Sequence, residues 1–209
     1  MKNIMFIGKM CSGKTYCADI LTKHGYTKLS LATPIKEMEA GLDDAHGAME
    51  FAELVYPQFK YFKHYTEYQL NAMMKVLREA KKIPSELPKS RKRLQYIGTE
   101  GGRMQVDDKL WIKILQGKME DREDGLWVVD DVRFKNEYTQ LSALFTPVKI
   151  SITQELQMER IHRLYPGFDE EALNHASETE LESIDTELTL DGSLSYDETE
   201  KLLLEIIND

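Results

Sequence analysis

Gly8-Lys9-Met10-Cys11-Ser12-Gly13-Lys14-Thr15 is a full match to the pattern G-x-x-x-x-G-K-[ST], and each fixed position of that pattern has a physical task. Gly8 and Gly13 let the backbone turn so that successive amide N–H groups point inward at phosphate oxygens. Lys14 is placed to reach the β- and γ-phosphates of a nucleotide, and the Thr15 hydroxyl to ligate Mg²⁺. A helix beginning here adds its positive dipole end to the same anion. Immediately upstream, Asn3 to Ile7 is a nearly continuous apolar run, the mark of a strand buried on both faces of a parallel sheet. Downstream, Cys17, Ile20, Leu21 and His24 recur at helical spacing and Gly25 supplies a stop. Strand, glycine-rich turn and helix in that order are the context that turns the motif into an expectation of ATP binding through residues 8–15 and Tyr16.

Beyond this unit, Tyr26 to Leu31 reads as a second strand ended by Pro34, and Leu126 to Asp131 as a third, apolar until two carboxylates close it. Pro147 precedes Val148 to Ile152, a fourth strand, and a helix is expected from about Glu155 to Leu164. A short alternating stretch, Thr186 to Leu190, leads to a turn at Asp191-Gly192 and a final helix from about Tyr196. Ile35 to about Arg93 is helical in character, and Lys81 to Arg93 within it reads as a basic loop, with Pro84 and Pro88 opposing a continuous helix. Alternation of strands and helices predicts an α/β fold: a P-loop NTPase-type parallel sheet flanked by helices. The expected organisation is a single domain over 1–209, with a helical acceptor-binding insertion over about 35–110 and a small lid over about 155–180.

The chain has 209 residues and a formal net charge of −9, which argues against a nucleic-acid or anionic-membrane partner, because binding phosphate backbones needs a basic face. The charge is uneven. Residues 169–209 hold 14 acids and one base, leaving residues 1–168 with 26 bases and 22 acids, so an anion-handling surface is expected in the first four fifths. No apolar stretch approaches the roughly 18 residues of a membrane span, and the first apolar run is short for a secretory signal. Two cysteines are too few for a disulfide framework. A cytoplasmic setting is therefore expected, the host cytoplasm if the chain is phage-encoded.

A carboxylate near Mg²⁺ is the second requirement of a phosphate loop, and in a parallel sheet the strand C-termini converge on the ligand crevice. Asp130 and Asp131 stand at such an end. Alternation leaves open which of the two faces the metal; Asp131 and Arg133 would share one side. Thr15 and Asp131 are the expected Mg²⁺ ligands. Phosphoryl transfer further needs positive groups around the migrating phosphoryl, and the sequence offers Arg91-Lys92-Arg93, Arg103 with Arg133, and Arg160 with Arg163 at i,i+3 on one helix face.

Four segments, in order, resemble the bacteriophage deoxynucleoside monophosphate kinase family of the nucleoside monophosphate kinase superfamily: the phosphate loop; Leu31-Ala32-Thr33-Pro34-Ile35-Lys36; Leu94-Gln95-Tyr96-Ile97-Gly98-Thr99-Glu100 followed by Arg103 and Trp111; and Asp131-Val132-Arg133-Phe134-Lys135-Asn136-Glu137. His175-Ala176-Ser177-Glu178 extends the likeness. Some members of that family carry an acid after the loop lysine, where this chain has Thr15. The resemblance implies that ATP and Mg²⁺ are used to phosphorylate a deoxynucleoside monophosphate, with Lys36, Arg91, Lys92, Gly98, Thr99, Arg103, Trp111, Asp131, Arg133 and Glu137 lining the acceptor site. Arginines suit bidentate grip of a phosphate and Trp111 stacking on a base. Trp111 is equally readable as a core anchor, and Glu137 as a support for Arg133. Lys14, Asp131, Arg133, Arg160 and Arg163 are the expected catalytic groups, the last two closing over the donor as a lid. Competing readings are a P-loop kinase of another small acceptor and an ATP-binding regulatory protein. Oligomeric state stays open, a homodimer included.

Overall fold

All four residues of Ile4–Ile7 are fully buried, as a strand with neighbours on both edges and helices on both faces requires. In the computed structural model, which describes residues 1–85, 91–121, 125–174, 176–180 and 183–208, the chain runs β1 (Ile4–Ile7), α1 (Lys14–Lys23), β2 (Tyr26–Leu29), α2 (Thr33–Ala40), α3 (Ala48–Phe59), α4 (Glu67–Lys81) and α5 (Arg91–Gln95). A π-helix over Tyr96–Val106 follows, then α6 (Leu110–Glu120), β3 (Leu126–Val129), α7 (Lys135–Leu141), β4 (Thr146–Ser151) and α8 (Gln154–Leu164). A 3₁₀ turn at Glu170–Asn174, α9 (Ala176–Thr179), β5 (Leu188–Asp191) and α10 (Tyr196–Asn208) complete it. Among the described residues no helix is long and apolar enough to cross a membrane.

Two compact units result, Met1–Ser30 with Asp124–Asp209, and Leu31–Glu123. The first is a five-stranded sheet of order β2-β3-β1-β4-β5, parallel throughout, with Ile4 opposite Val128 on one side and Thr146 on the other. Its core joins Ile4, Phe6, Val128, Val148 and Ile150 of the sheet to Ala18 and Leu21 of α1 and Leu203 and Ile207 of α10. A parallel sheet aims every strand C-terminus one way, so the β1–α1 turn and the residues following β3 lie at one edge.

The second unit is helical. Buried Phe51, Val55 and Phe59 of α3, Met73, Val76 and Leu77 of α4 and Trp111 and Ile114 of α6 form its interior, and α4 packs along both α3 and the π-helix. Pro34 sits in the first turn of α2 rather than ending a strand, where its missing N–H costs nothing.

Two local expectations give way. Arg91 to Arg93, read as part of a basic loop, open α5; residues 86–90 lie outside the described residues. Pro147, read as preceding the fourth strand, lies within it opposite Met5, one residue from the strand start, where a proline is tolerated.

Candidate nucleotide site

The β1–α1 turn adopts backbone angles few residues tolerate. Gly8 has φ +144° and Gly13 φ +112°, and Cys11, though not glycine, takes the left-handed conformation at φ +60°. A Cβ on Gly8 would stand 2.4 Å from the Ile150 carbonyl oxygen, so strand β4 closes on this glycine and only a hydrogen fits. The turn is drawn tight by Ser12 N–H donating to Lys9 O at 3.2 Å. Gly13 then hands over to α1, whose first turn carries no acidic side chain, leaving its N-terminal end suited to an anion.

Lys14 folds back over the loop, its Nζ donating to Gly8 O and Lys9 O, each at 2.7 Å. It is 7% exposed. Burial first, and then the Arg133 guanidinium, push its ammonium down to about 8, against the opposing pull of Glu178, Asp130 and Cys11. Ser12 Oγ is buried with no hydrogen-bond partner. Tyr16 is exposed and meets Tyr196 of α10 edge-on.

Two consecutive aspartates after β3 take different partners. Burial, followed by the adjacent Asp131, pushes Asp130 up from the ordinary carboxylate value, the neighbouring Thr15 hydroxyl and Lys28 ammonium opposing. Lys28 Nζ stands 3.8 Å from Asp130 and 2.6 Å from Asp19. Asp131 instead accepts from Ser30 Oγ at 2.7 Å. The Thr15 hydroxyl, expected to share Mg²⁺ with Asp131, lies close enough to Asp130 to help lower its pKa. A hydroxyl and a carboxylate are hard oxygen donors that suit Mg²⁺, which asks the protein for one or two carboxylates when phosphates supply the rest. Among the described residues, no cluster of three or more His, Cys, Asp and Glu side chains is arranged for a metal.

Farther along the same segment, Arg133 donates from Nη1 to Glu178 of α9. Glu137 Oε2 accepts from the backbone N–H groups of Arg133 at 2.8 Å and Phe134 at 3.1 Å. This buried carboxylate therefore caps α7 and fixes the chain that carries Arg133. Arg160 is expected to close over the donor, yet its guanidinium meets backbone: Nη1 donates to Cys11 O at 3.2 Å and to Ser12 O at 3.5 Å, and Nη2 to Gly192 O at 2.8 Å. Gln157, one turn earlier on α8 and 5% exposed, donates to Met10 O at 3.1 Å. Arg163 is exposed at the end of α8. Helix α8 thereby holds the carbonyls of Met10, Cys11 and Ser12 in the loop. Gln157, Ser30 and Asp130's pairing are not evident in the sequence; only the i,i+3 spacing of Gln157 and Arg160 hinted at a shared face.

In the helical unit the expected acceptor residues divide. Gly98, Thr99 and Arg103 share the π-helix, a conformation that is rare and frequent at functional sites. Trp111 is 3% exposed and donates from Nε1 to Gly98 O at 2.8 Å, which makes it a core anchor. Arg93 is likewise buried, donating to Ile83 O at 2.7 Å and Asp43 Oδ1 at 2.8 Å. Lys36 and Lys92 are exposed, and Arg91 opens α5. His175 lies outside the described residues.

No protein-family model matches the sequence, and no curated protein matches it. Solved structures do. A protein of Thermus thermophilus, TT1252, superposes with a TM-score of 0.54 at 14% identity, over all of this chain and 97% of that one. Dephospho-CoA kinase from Campylobacter jejuni matches with a TM-score of 0.46 at 20% identity, over 99% of this chain and 96% of that one. At 14% identity the likeness to TT1252 is one of fold, and the sheet order with its phosphate loop after β1 gives this chain an α/β fold of the P-loop type.

Proposed function

We propose that this chain is an ATP-dependent phosphotransferase of the nucleoside monophosphate kinase type, which moves the γ-phosphoryl of ATP to a deoxynucleoside monophosphate, giving ADP and the diphosphate. The observation that carries the kinase reading is the buried, loop-folded Lys14 with the Thr15 hydroxyl and Asp130 beside it, an arrangement fitted to Mg·ATP. Residues Gly8 to Thr15 wrap the phosphates with backbone N–H groups and the Lys14 ammonium. Thr15 and Asp130, in place of Asp131, would hold Mg²⁺, which would supply positive charge to offset that of the phosphates. Arg133 grips the phosphoryl in transit, and Glu137 keeps the Arg133 backbone in position. Arg160 shapes the loop instead of closing over the nucleotide.

The monophosphate acceptor rests on the resemblance of the segments around Leu31, Leu94 and Asp131, with Lys36, Arg91, Lys92, Thr99 and Arg103 as its phosphate and sugar contacts. A phosphate monoester, with a second pKa of about 6, is already mostly dianionic near neutrality, so the acceptor needs no general base. That suits the histidines: His24 pairs with Glu200 at 2.7 Å and His162 with Glu170 at 3.5 Å. One observation favours a second reading. Asp131 accepts from a hydroxyl, that of Ser30, and a hydroxyl-bearing acceptor in its place would find a general base there.

The test is ADP formation from Mg·ATP with dAMP, dGMP, dCMP, dTMP, dUMP and the matching ribonucleotides, with Lys14→Ala as blank. Turnover that depends on a deoxynucleotide is expected. A flat panel with ATP still bound overturns the monophosphate acceptor.

A further inference from the structure

Arg133 is the cation offered to the transferred phosphoryl, and it already has an anionic partner. Its guanidinium pairs with the Glu178 carboxylate, the arginine side chain being 36% and the glutamate 12% exposed. The pairing segment is tied down a second time, because Glu180 Oε1 accepts from the Lys135 backbone N–H at 2.8 Å. Two acids two residues apart thus fasten the α9 segment to Arg133 and to the first residue of α7. The same carboxylate also acts on the phosphate loop. Among the groups that raise the affinity of Lys14 for its proton, Glu178 stands first, and among the charges that lower it, Arg133 does. Lys14, Arg133 and Glu178 therefore share one electrostatic neighbourhood, to which Asp130 adds further negative charge.

A carboxylate and a phosphoryl group ask the same thing of arginine, charge-assisted N–H donation to paired oxygens. A nucleotide whose γ-phosphate is delivered by the loop to Lys14 meets the negative charge of Glu178 and competes with it for the guanidinium. We propose that Glu178 is an intramolecular competitor for the phosphoryl position, holding Arg133 until a nucleotide phosphate takes its place. This rests on the kinase reading above. Loading of the site then leaves the α9 segment fastened by the Glu180–Lys135 hydrogen bond without the Glu178–Arg133 pair.

The experiment is calorimetric titration of wild type, Glu178→Gln, Arg133→Gln and the double variant with Mg·ATP, and with magnesium tripolyphosphate as a probe without base or sugar. Glutamine keeps the size of the side chain and removes its charge. A competitor that occupies the site most of the time lowers apparent affinity by the fraction it blocks, so Glu178→Gln is expected to bind both probes about 3- to 10-fold more tightly. In the Arg133→Gln background that gain disappears. Glu178→Asp, which keeps the charge on a shorter arm, falls between. Equal or weaker binding by Glu178→Gln, with Mg·ATP bound by the wild type, overturns the competition and leaves the kinase reading standing. Absence of Mg·ATP binding by the wild type overturns both.

Discussion

Asp131 accepts from the Ser30 hydroxyl at 2.7 Å, while its neighbour Asp130 stands beside the Thr15 hydroxyl of the phosphate loop. One residue of offset thus divides two chemically identical groups between the phosphate loop and the end of β2. Asp130→Asn is expected to raise the Mg²⁺ concentration needed for half-maximal nucleotide binding by about tenfold or more, and Asp131→Asn to leave it within about twofold. Titration of Mg²⁺ at fixed ATP reads this directly; a large shift in Asp131→Asn alone would reverse the assignment. Because burial and Asp131 raise the pKa of Asp130, Mg²⁺ affinity should begin to fall at a higher pH than an ordinary carboxylate would give.

Lys14 gives a pH signature of opposite origin. Its pKa lies near 8 in the folded chain against 10.5 for a free lysine. Between those values the unfolded chain holds a proton that the folded chain has released, so folding stability rises with pH through the window; below 8 the cost is fully present. Lys14→Met removes that dependence. The stability of wild type relative to Lys14→Met should climb by about 3 kcal/mol from pH 8 to 10.5, read from urea midpoints. A flat difference would mean that the ammonium is not desolvated.

The same shift predicts proton uptake on nucleotide binding. Phosphate beside Lys14 favours the charged ammonium, and near pH 8 about half of the lysines are neutral beforehand. Calorimetry of Mg·ATP binding at pH 8 in buffers of differing ionisation enthalpy should show net uptake that vanishes near pH 6.5. Lys14→Ala should bind weakly, turn over no substrate and keep its far-UV circular dichroism.

What the sequence revealed follows physical range. β1, the loop and α1 were readable because a run of four buried apolar residues and a local turn motif are short-range signals. The choice between Asp130 and Asp131 was not, since β3 ends at Val129 and strand alternation does not extend past the strand. The charge of Arg160 suggests a lid residue; its partners Cys11 and Ser12 lie 149 and 148 positions away, which no local pattern encodes. Trp111 was equally readable as base platform or core, and what decides is its contact with Gly98, 13 residues away.

That contact carries a prediction in the helical unit. Trp111→Phe deprives Gly98 O of its indole donor in a buried setting, a loss of about 1–3 kcal/mol. Gly102→Ala is expected to be worse, because its Cβ would stand 2.4 Å from Trp111 Cζ2 and 2.6 Å from Ile97 O. Both should lower the urea midpoint. If Trp111→Phe instead left stability untouched and raised KM for the acceptor alone, a stacking role would be restored.

Arg160 joins three carbonyls, two from the phosphate loop and one from Gly192 in the turn after β5. The loop holds Cys11 in a left-handed conformation, and carbonyls turned outward toward Arg160 and Gln157 are the counterpart of amides turned inward toward phosphate. Arg160→Met keeps the aliphatic stem and removes those donors. Losing charge-assisted hydrogen bonds of about 1.5–3 kcal/mol should weaken Mg·ATP binding by roughly 10- to 100-fold. Arg160→Lys should rescue little of it, since one ammonium cannot reproduce the guanidinium fork. A lid arginine acting on the transition state would behave otherwise: kcat would fall while Kd for Mg·ATP stayed near the wild-type value. Gly192→Ala offers an independent check on the same clamp, because its Cβ would lie 2.2 Å from Ser12 O and must push the loop away from the turn. Weakened nucleotide binding in both variants, without loss of helical signal, would establish that α8 and the β5 turn set the shape of the phosphate loop.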